Sequence, residues 1–283
     1  MDKLGILGPP GTHSEAAALY LENLLHSGRE TVVYDEIFEA LRAVETGDVT
    51  AALVPVENSL EGSINITLDV LASVDDLCVT RELIWPVHNF LVGKGEKRQI
   101  KKIYSHPQPI SQCRQYILNN YPAAEIVTVS STAKAAQAAA AADAADGVAA
   151  ICTARAGALN NLNIFARHIE DNSANSTRFL EIARRSEQTA PVHSDKMLII
   201  CNIDGKKAGT LCDVLQEFAR RGINLTRIES RPARTQLGEY IFFFDLETDM
   251  PPHIRRAAVT AVRQKSIWLK ELGEFPVITA QDT

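Results

Sequence analysis

Leu4-Gly5-Ile6-Leu7-Gly8-Pro9-Pro10-Gly11-Thr12-His13-Ser14-Glu15 reads as a short apolar strand, a Gly/Pro turn and the first turn of a helix. The same rhythm continues outward: helix from Ser14 to Leu25, strand from Thr31 to Tyr34, helix from Ile37 to Thr46, strand from Ala51 to Pro55. It restarts after Trp85-Pro86 with strands at Asn89 to Val92 and Lys102 to Ser105, a helix from Pro109 to Asn119, and a strand from Ile126 to Val129. The Ala-rich run Ala133 to Asp146 has high helix propensity and reads as a crossover helix before a strand at Val148 to Cys152. Strand-helix alternation of this length predicts an α/β fold built on largely parallel sheet. Two similar halves predict two lobes around a cleft, lobe one at about 1–80 plus 168–186 and lobe two at about 86–165. The chain is expected to cross near Val79 to Pro86 and to return near Phe165 to Glu170.

Beyond residue 186 the rhythm changes. Residues 187–195 lose apolar periodicity, contain Pro191 and read as a linker. Residues 196–276 then follow the order β-α-β-β-α-β, the split arrangement of ferredoxin-like modules. A module of about 80 residues is marginal alone and is expected to pair with another copy.

The bulk properties exclude several classes. A chain of 283 residues exceeds one ordinary core, and 46% hydrophobic content is that of a globular protein. With Lys plus Arg at 29 and Asp plus Glu at 35, the formal charge is −6, with no basic patch for nucleic acid. The five cysteines, Cys78, Cys113, Cys152, Cys201 and Cys212, form no Cys-x-x-Cys pair and read as reduced core residues. No apolar run approaches the roughly 20 residues that span a bilayer. Met1-Asp2-Lys3 leads straight into a strand without a leader pattern, so a cytoplasmic protein without membrane contact is expected.

Four polar strings sit where buried strands end: Gly8 to Ser14, Pro55-Val56-Glu57-Asn58-Ser59, Ser105-His106-Pro107-Gln108 and Asn175-Ser176-Thr177-Arg178-Phe179. In open α/β sheets ligands bind outside the carboxyl ends of the strands. Thr12 and Glu15 fit a capping box, and an ordinary helix start is the favoured reading, although Thr12, Ser14 and the free amides of that turn also suit an anion. Glu57 reads as a loop brace, with Asn58 and Ser59 able to face a ligand. Ser105 and Gln112 are favoured as contacts over His106, since a lone His before Pro commonly braces its loop. Arg178 among neutral hydrogen bonders suits a carboxylate, although an isolated Arg is by default a surface ion pair. No triad order, metal-ligand spacing or Gly-x-Gly-x-x-Gly fingerprint is present. The residues thus describe a cleft for a small anionic molecule.

The order and spacing of these strings resemble the prephenate dehydratase family over essentially the whole chain, from Gly8 to Leu272-Gly273-Glu274-Phe275-Pro276. Glu229-Ser230-Arg231-Pro232 is similar to the phenylalanine-binding motif of that family's ACT regulatory domain. The resemblance implies a two-lobed, type II periplasmic-binding-protein-like catalytic domain followed by an ACT domain. It implies conversion of prephenate to phenylpyruvate, CO2 and water, with no cofactor and no metal. By the family motif Thr177 donates to the leaving hydroxyl, Arg178 holds a substrate carboxylate and Phe179 shapes the pocket. Thr12, Ser14, Asn58, Ser59, Ser105 and Gln112 line the remainder. Phenylalanine is expected between paired ACT domains of a homodimer or homotetramer, against Gly209, Thr210, Leu211, Glu229, Ser230 and Arg231.

Two positions depart from the family pattern. His13 stands where an aromatic residue is usual, and Gly209-Thr210-Leu211-Cys212 replaces Gly-Ala-Leu-Val. No mutase-like helical segment precedes the first strand, so a monofunctional enzyme is expected. An arogenate dehydratase performs the same elimination on an amine-bearing substrate and is the nearest rival, and a noncatalytic amino-acid sensor is the rival of another class.

Overall fold

The protein is described by a computed structural model for residues 2–187, 191, 193–234 and 239–281. Lobe one contains β1 (Lys3–Leu7), α1 (His13–Leu25), β2 (Glu30–Tyr34), α2 (Ile37–Thr46), β3 (Ala51–Asn58), β4 (Gly62–Ser63), α3 (Asn65–Ser73) and β5 (Leu77–Pro86). β1 pairs in parallel with β2 and β3. α2 is typical of the crossovers: Ile37, Ala40, Leu41 and Val44 recur at helical spacing, and that stripe is buried on the sheet.

The chain enters lobe two through Val87–Asn89. There follow β6 (Phe90–Gly93), β7 (Lys102–Ser105), α4 (Pro107–Gln112), α5 (Arg114–Asn120), β8 (Glu125–Thr128), α6 (Thr132–Ala141), β9 (Val148–Cys152), α7 (Ala154–Leu159) and β10 (Asn163–Ala166). Their sheet runs β10-β6-β9-β7-β8. The helix expected from Pro109 to Asn119 is two helices broken at Cys113, whose ψ of 20° leaves the helical range. The Ala-rich run is a crossover helix with Ala133, Ala135, Ala136 and Ala139 buried.

β11 (Ser176–Arg184) re-enters lobe one antiparallel between β3 and β5. The sheet expected to be largely parallel is therefore mixed, because the chain leaves the lobe on β5 and comes back beside it in the opposite sense. The crossing also lies later than expected, since β5 pairs with β11 along its length as far as Pro86.

The third module is β12 (Lys196–Asn202), α8 (Thr210–Ala219), β13 (Leu225–Pro232), β14 (Tyr240–Glu247), α9 (Pro252–Lys265) and β15 (Trp268–Phe275), in the expected β-α-β-β-α-β order. Residues 188–190 and 192 of the expected linker lie outside the described residues. Its antiparallel sheet, β13-β14-β12-β15, buries both faces by alternation. Met197, Ile199, Cys201, Phe244 and Leu246 pack under the helices. Leu198, Ile200, Phe243, Leu272 and Phe275 share a core with Leu41, Leu71 and Leu180 of lobe one. β16 (Val277–Thr279) then joins lobe one's sheet in parallel with β5. The third module is thus joined to lobe one through a continuous core.

Four cysteines are buried as expected, but Cys212 is exposed on the first turn of α8. Among the described residues no helix is long and apolar enough to cross a membrane.

Candidate active site

A cleft of about 350 Å³ lies between the lobes, and the described residues that line it include no Asp, Glu, Lys or Arg. Its floor in lobe one is the start of α1. Gly11 has φ +90°, and a Cβ there would stand 3.1 Å from Ala156 Cβ, so the turn requires glycine to approach α7 of lobe two. Thr12 caps α1, its Oγ1 accepting from Glu15 N at 3.5 Å. Glu15 does not complete a capping box. Its carboxylate accepts from Gly11 N at 2.7 Å and from Arg155 Nε at 2.6 Å, while Thr153 Oγ1 donates to Gly11 O at 2.7 Å. Burial raises the Glu15 pKa, but Arg155 and the Gly11 amide more than offset this and hold it below the ordinary value. These bonds close lobe two onto lobe one at the end of the cleft.

His13 and Ser14 also line the cleft. Trp85 Nε1 donates to His13 Nδ1 at 3.3 Å, so the ring proton of neutral His13 resides on Nε2. Burial, reinforced by His88 and opposed in part by Glu170, lowers the His13 pKa to about 4.

Asn58 and Thr177, from neighbouring strands, meet at the same wall. Asn58 Oδ1 accepts from Leu60 N at 3.0 Å and Glu61 N at 3.1 Å, which fixes the amide orientation. Asn58 Nδ2 then donates to Thr177 Oγ1 at 3.0 Å and to Asn175 Oδ1 at 2.9 Å. The Thr177 hydroxyl accepts from Asn58, leaving its own proton to be donated into the cleft. Phe179, two residues along the strand, lines the same side.

Lobe two contributes His106, Gln108, Gln112 and the Ser130-Ser131-Thr132 start of α6. His106 Nδ1 accepts from Gln108 N at 3.3 Å, so it braces its loop as expected while also facing the cleft. The N-termini of α1 and α6 both reach the cleft, one from each lobe, and supply the positive potential that its side chains lack. Ser130 to Thr132, His13 and Asn89 were not singled out as contacts from sequence. The hydroxyls before α6 do follow a strand end, the same signal as the four strings.

Three expected contacts are placed elsewhere. Arg178 points to the opposite face of β11 from Thr177 and Phe179, as strand alternation demands. Its Nε donates to Glu82 at 2.7 Å and its Nη1 is ion-paired with Asp245 of β14, so it joins lobe one to the third module instead of meeting a ligand. Burial alone would lower its pKa, but Asp245 and Glu82 reverse this and raise it. Ser105 is fully buried and donates to Ile151 O at 2.7 Å. Ser59 Oγ accepts from Ser176 N at 3.0 Å and ties two loops together outside the cleft. Glu57 braces as expected, 3.1 Å from Arg227 Nε.

At the crossing between lobes, His88 Nδ1 lies 2.7 Å from Glu170 Oε1, and His88, His168 and Glu170 bring ligand-type atoms within 4.8 Å of one another. The cluster clamps the outgoing and returning chains together.

In the third module Gly209 precedes α8 with φ +86° and open space around it, and Thr210 Oγ1 donates to Lys207 O at 2.7 Å. Arg231 and Asn202 stand opposite Ile241 on either side, so the Gly209 turn and the Glu229 to Arg231 segment lie at one end of the sheet. Glu229 accepts from Ser63 Oγ at 2.8 Å, and Arg231 bonds both Asp69 oxygens at 3.1 Å. Those two charged side chains face lobe one; Ser230, between them, is exposed.

Comparison with known proteins agrees with this division. The family model described as prephenate dehydratase matches residues 4–187, and that of the ACT domain matches residues 201–262. A prephenate dehydratase of Methanocaldococcus jannaschii is 33% identical over 269 residues, covering 95% of this chain and 96% of that protein. One from Amycolatopsis methanolica is 35% identical over 277 residues, 97% of this chain and 88% of the other. The crystal structure of an Arthrobacter aurescens prephenate dehydratase in complex with L-Phe superposes with a TM-score of 0.86 at 33% identity, covering 97% of this chain and 90% of that one.

Proposed function

The chain belongs to the prephenate dehydratase family, and from that premise we propose how its cleft performs the reaction. The enzyme converts prephenate to phenylpyruvate, CO2 and water in phenylalanine biosynthesis and is feedback-regulated by phenylalanine. In that reaction the bond to the ring carboxylate breaks, its electron pair completes the aromatic ring, and the hydroxyl leaves with a proton as water. Aromatisation drives the step. The protein has to hold a dianion, assist hydroxide departure and weaken solvation of the departing carboxylate.

The observation that carries the reading is the fixed polarity of Thr177. Asn58 occupies its acceptor side, so its proton is available to the leaving oxygen as negative charge develops there. A threonine hydroxyl is too weak an acid to surrender that proton freely, so it serves as a positioned hydrogen bond or relay. The dianion is held by the N-termini of α1 and α6 with Thr12, Ser14 and Ser131, without a cationic side chain. Neutral walls suit decarboxylation, because a tightly paired carboxylate would be stabilised against loss of CO2.

Phenylalanine acts at the Gly209 to Leu211 turn and the Glu229 to Arg231 edge, where β13 is the edge strand of its sheet among the described residues, with Ile228 and Ser230 exposed. Pairing of two such edges makes a homodimer the minimal unit, with the effector between modules. Glu229 and Arg231 transmit its binding to lobe one through Ser63 and Asp69. The four buried thiols suit a reducing compartment, the cytoplasm. The test is phenylpyruvate formation from prephenate by purified protein, with arogenate in parallel and phenylalanine added to each. Prephenate turnover that falls with phenylalanine supports the reading. Preferential turnover of arogenate reassigns the substrate, and turnover of neither sinks the reading.

A further inference from the structure

Asn89 and Gln112 form a side-chain amide pair on the cleft wall, and each is left half satisfied. Asn89 is fully buried at the crossing between lobes, and its Nδ2 donates to Gln112 Oε1 at 3.4 Å. Asn89 Oδ1 and Gln112 Nε2 are buried with no partner among the described residues. Buried polar atoms without partners are uncommon in folded proteins and costly, so an orphaned pair beside a ligand cleft calls for a ligand.

The pair is held rigidly for that purpose. Asn89 N donates to Glu170 Oε2 at 2.9 Å, Asn89 O accepts from Ile169 N at 3.0 Å, and Gln112 O accepts from Asp171 N at 2.7 Å. Neither side chain can drift far to satisfy itself elsewhere.

The chemistry of the missing partner follows from counting donors and acceptors. Two amides bonded to each other leave one amide nitrogen, a donor, and one carbonyl oxygen, an acceptor, without a partner. Reversing both amides exchanges which residue supplies which and leaves that sum unchanged, so the result does not depend on how the oxygen and nitrogen atoms are assigned. A carboxylate or ketone accepts only and would satisfy half of the pair. An ammonium donates only and would satisfy the other half. A hydroxyl does both. On the reading that prephenate is the substrate, two carboxylates and a ketone are acceptors, and its ring hydroxyl is the only donor in the dianion.

We propose that the Asn89–Gln112 pair is the binding site for the ring hydroxyl of the substrate, the group that departs. This rests on the function proposed above. The hydroxyl proton is donated to the amide carbonyl, one oxygen lone pair accepts from the amide N–H, and the other accepts from Thr177. Lobe two and lobe one thus grip the same oxygen. As the carbon–oxygen bond breaks, both donors are already directed at the atom that gains charge, and no protein group has to reorganise. The pair also reads the substrate, since a molecule lacking the hydroxyl leaves both amides unpaired.

The experiment compares two ring-saturated prephenate analogues that cannot aromatise, one bearing the 4-hydroxyl and one 4-deoxy, by titration calorimetry. Wild-type protein is expected to bind the hydroxylated probe at least about tenfold more tightly, the yield of one well-made hydrogen bond to a desolvated site. Asn89→Leu and Gln112→Met should each cut that preference severalfold, Thr177 still donating to the hydroxyl, while the deoxy probe binds as it does to wild type. Gln112→Met, at a partly exposed position, carries the test if Asn89→Leu does not fold. Equal affinity of wild type for the two probes, with prephenate still turned over, would assign the pair to an ordered water and overturn the proposal. Binding of neither probe together with no turnover of prephenate would sink the substrate assignment, and this proposal with it.

Discussion

Asn58 Nδ2 lies 3.0 Å from Thr177 Oγ1, and the opposite end of the same amide is locked by Leu60 N and Glu61 N. One side chain therefore sets the direction in which the Thr177 proton points. Asn58→Asp reverses this polarity, because a carboxylate would accept the Thr177 proton instead of donating to its oxygen. The expected result is a fall of about 10²-fold in kcat, the scale of losing one aligned donor at a developing oxyanion, in a protein that still folds and binds phenylalanine. Retained kcat would mean that the orientation of Thr177 is immaterial.

Arg178 is a buried link between lobe one and the ACT domain. Removing its charge strands Glu82 and Asp245 without their shared cation. Arg178→Leu should destabilise the fold by about 3–5 kcal/mol in urea unfolding while KM for prephenate changes little. A large rise in KM without loss of stability would return Arg178 to the cleft.

Besides Arg227, which meets Glu57 and Ser63, β13 connects the proposed effector edge to the catalytic lobe through Glu229 to Ser63 and Arg231 to Asp69. Neither touches the cleft. Glu229→Ala and Asp69→Ala should each leave uninhibited turnover near wild type and raise the half-inhibitory phenylalanine concentration at least about fivefold. Full phenylalanine sensitivity in both variants would displace the proposed route.

His13 is held neutral in the folded protein, its pKa lowered to about 4 from 6.5. Between those values the unfolded chain binds a proton that the native state refuses, so stability rises with pH across that window and is lost as pH falls through it. Relative to His13→Phe, wild type should therefore lose roughly 2–3 kcal/mol of stability between pH 7 and pH 4. Parallel stability curves for the two proteins would show that His13 titrates normally.

Much of this was legible in the sequence because the signals were local. Gly11, the Thr12 cap and the Ala-rich crossover declare strand ends and helix starts through residue type alone. The sheet's mixed sense was not legible, since the antiparallel seating of β11 beside β5 depends on where a returning chain docks. Arg178 was misplaced for a related reason: strand alternation sends it away from Thr177, but only the docked third module supplies the acids that hold it there. Ser105 has the composition of a ligand contact yet is consumed by Ile151 O, a partner 46 residues distant. Asn89 was passed over because a single amide in an apolar strand carries no motif. Its meaning lies in the partner it lacks.

The most direct test of the central claim, that a neutral cleft acts on prephenate through the Thr177 hydroxyl, is the steady-state turnover of Thr177→Val and Thr177→Ser beside wild type. The valine variant keeps shape without the donor and should lose about 10²–10⁴-fold in kcat while still binding phenylalanine; the serine variant should recover much of that loss. A valine variant within about threefold of wild type, a difference of less than 1 kcal/mol in the barrier, would contradict the account.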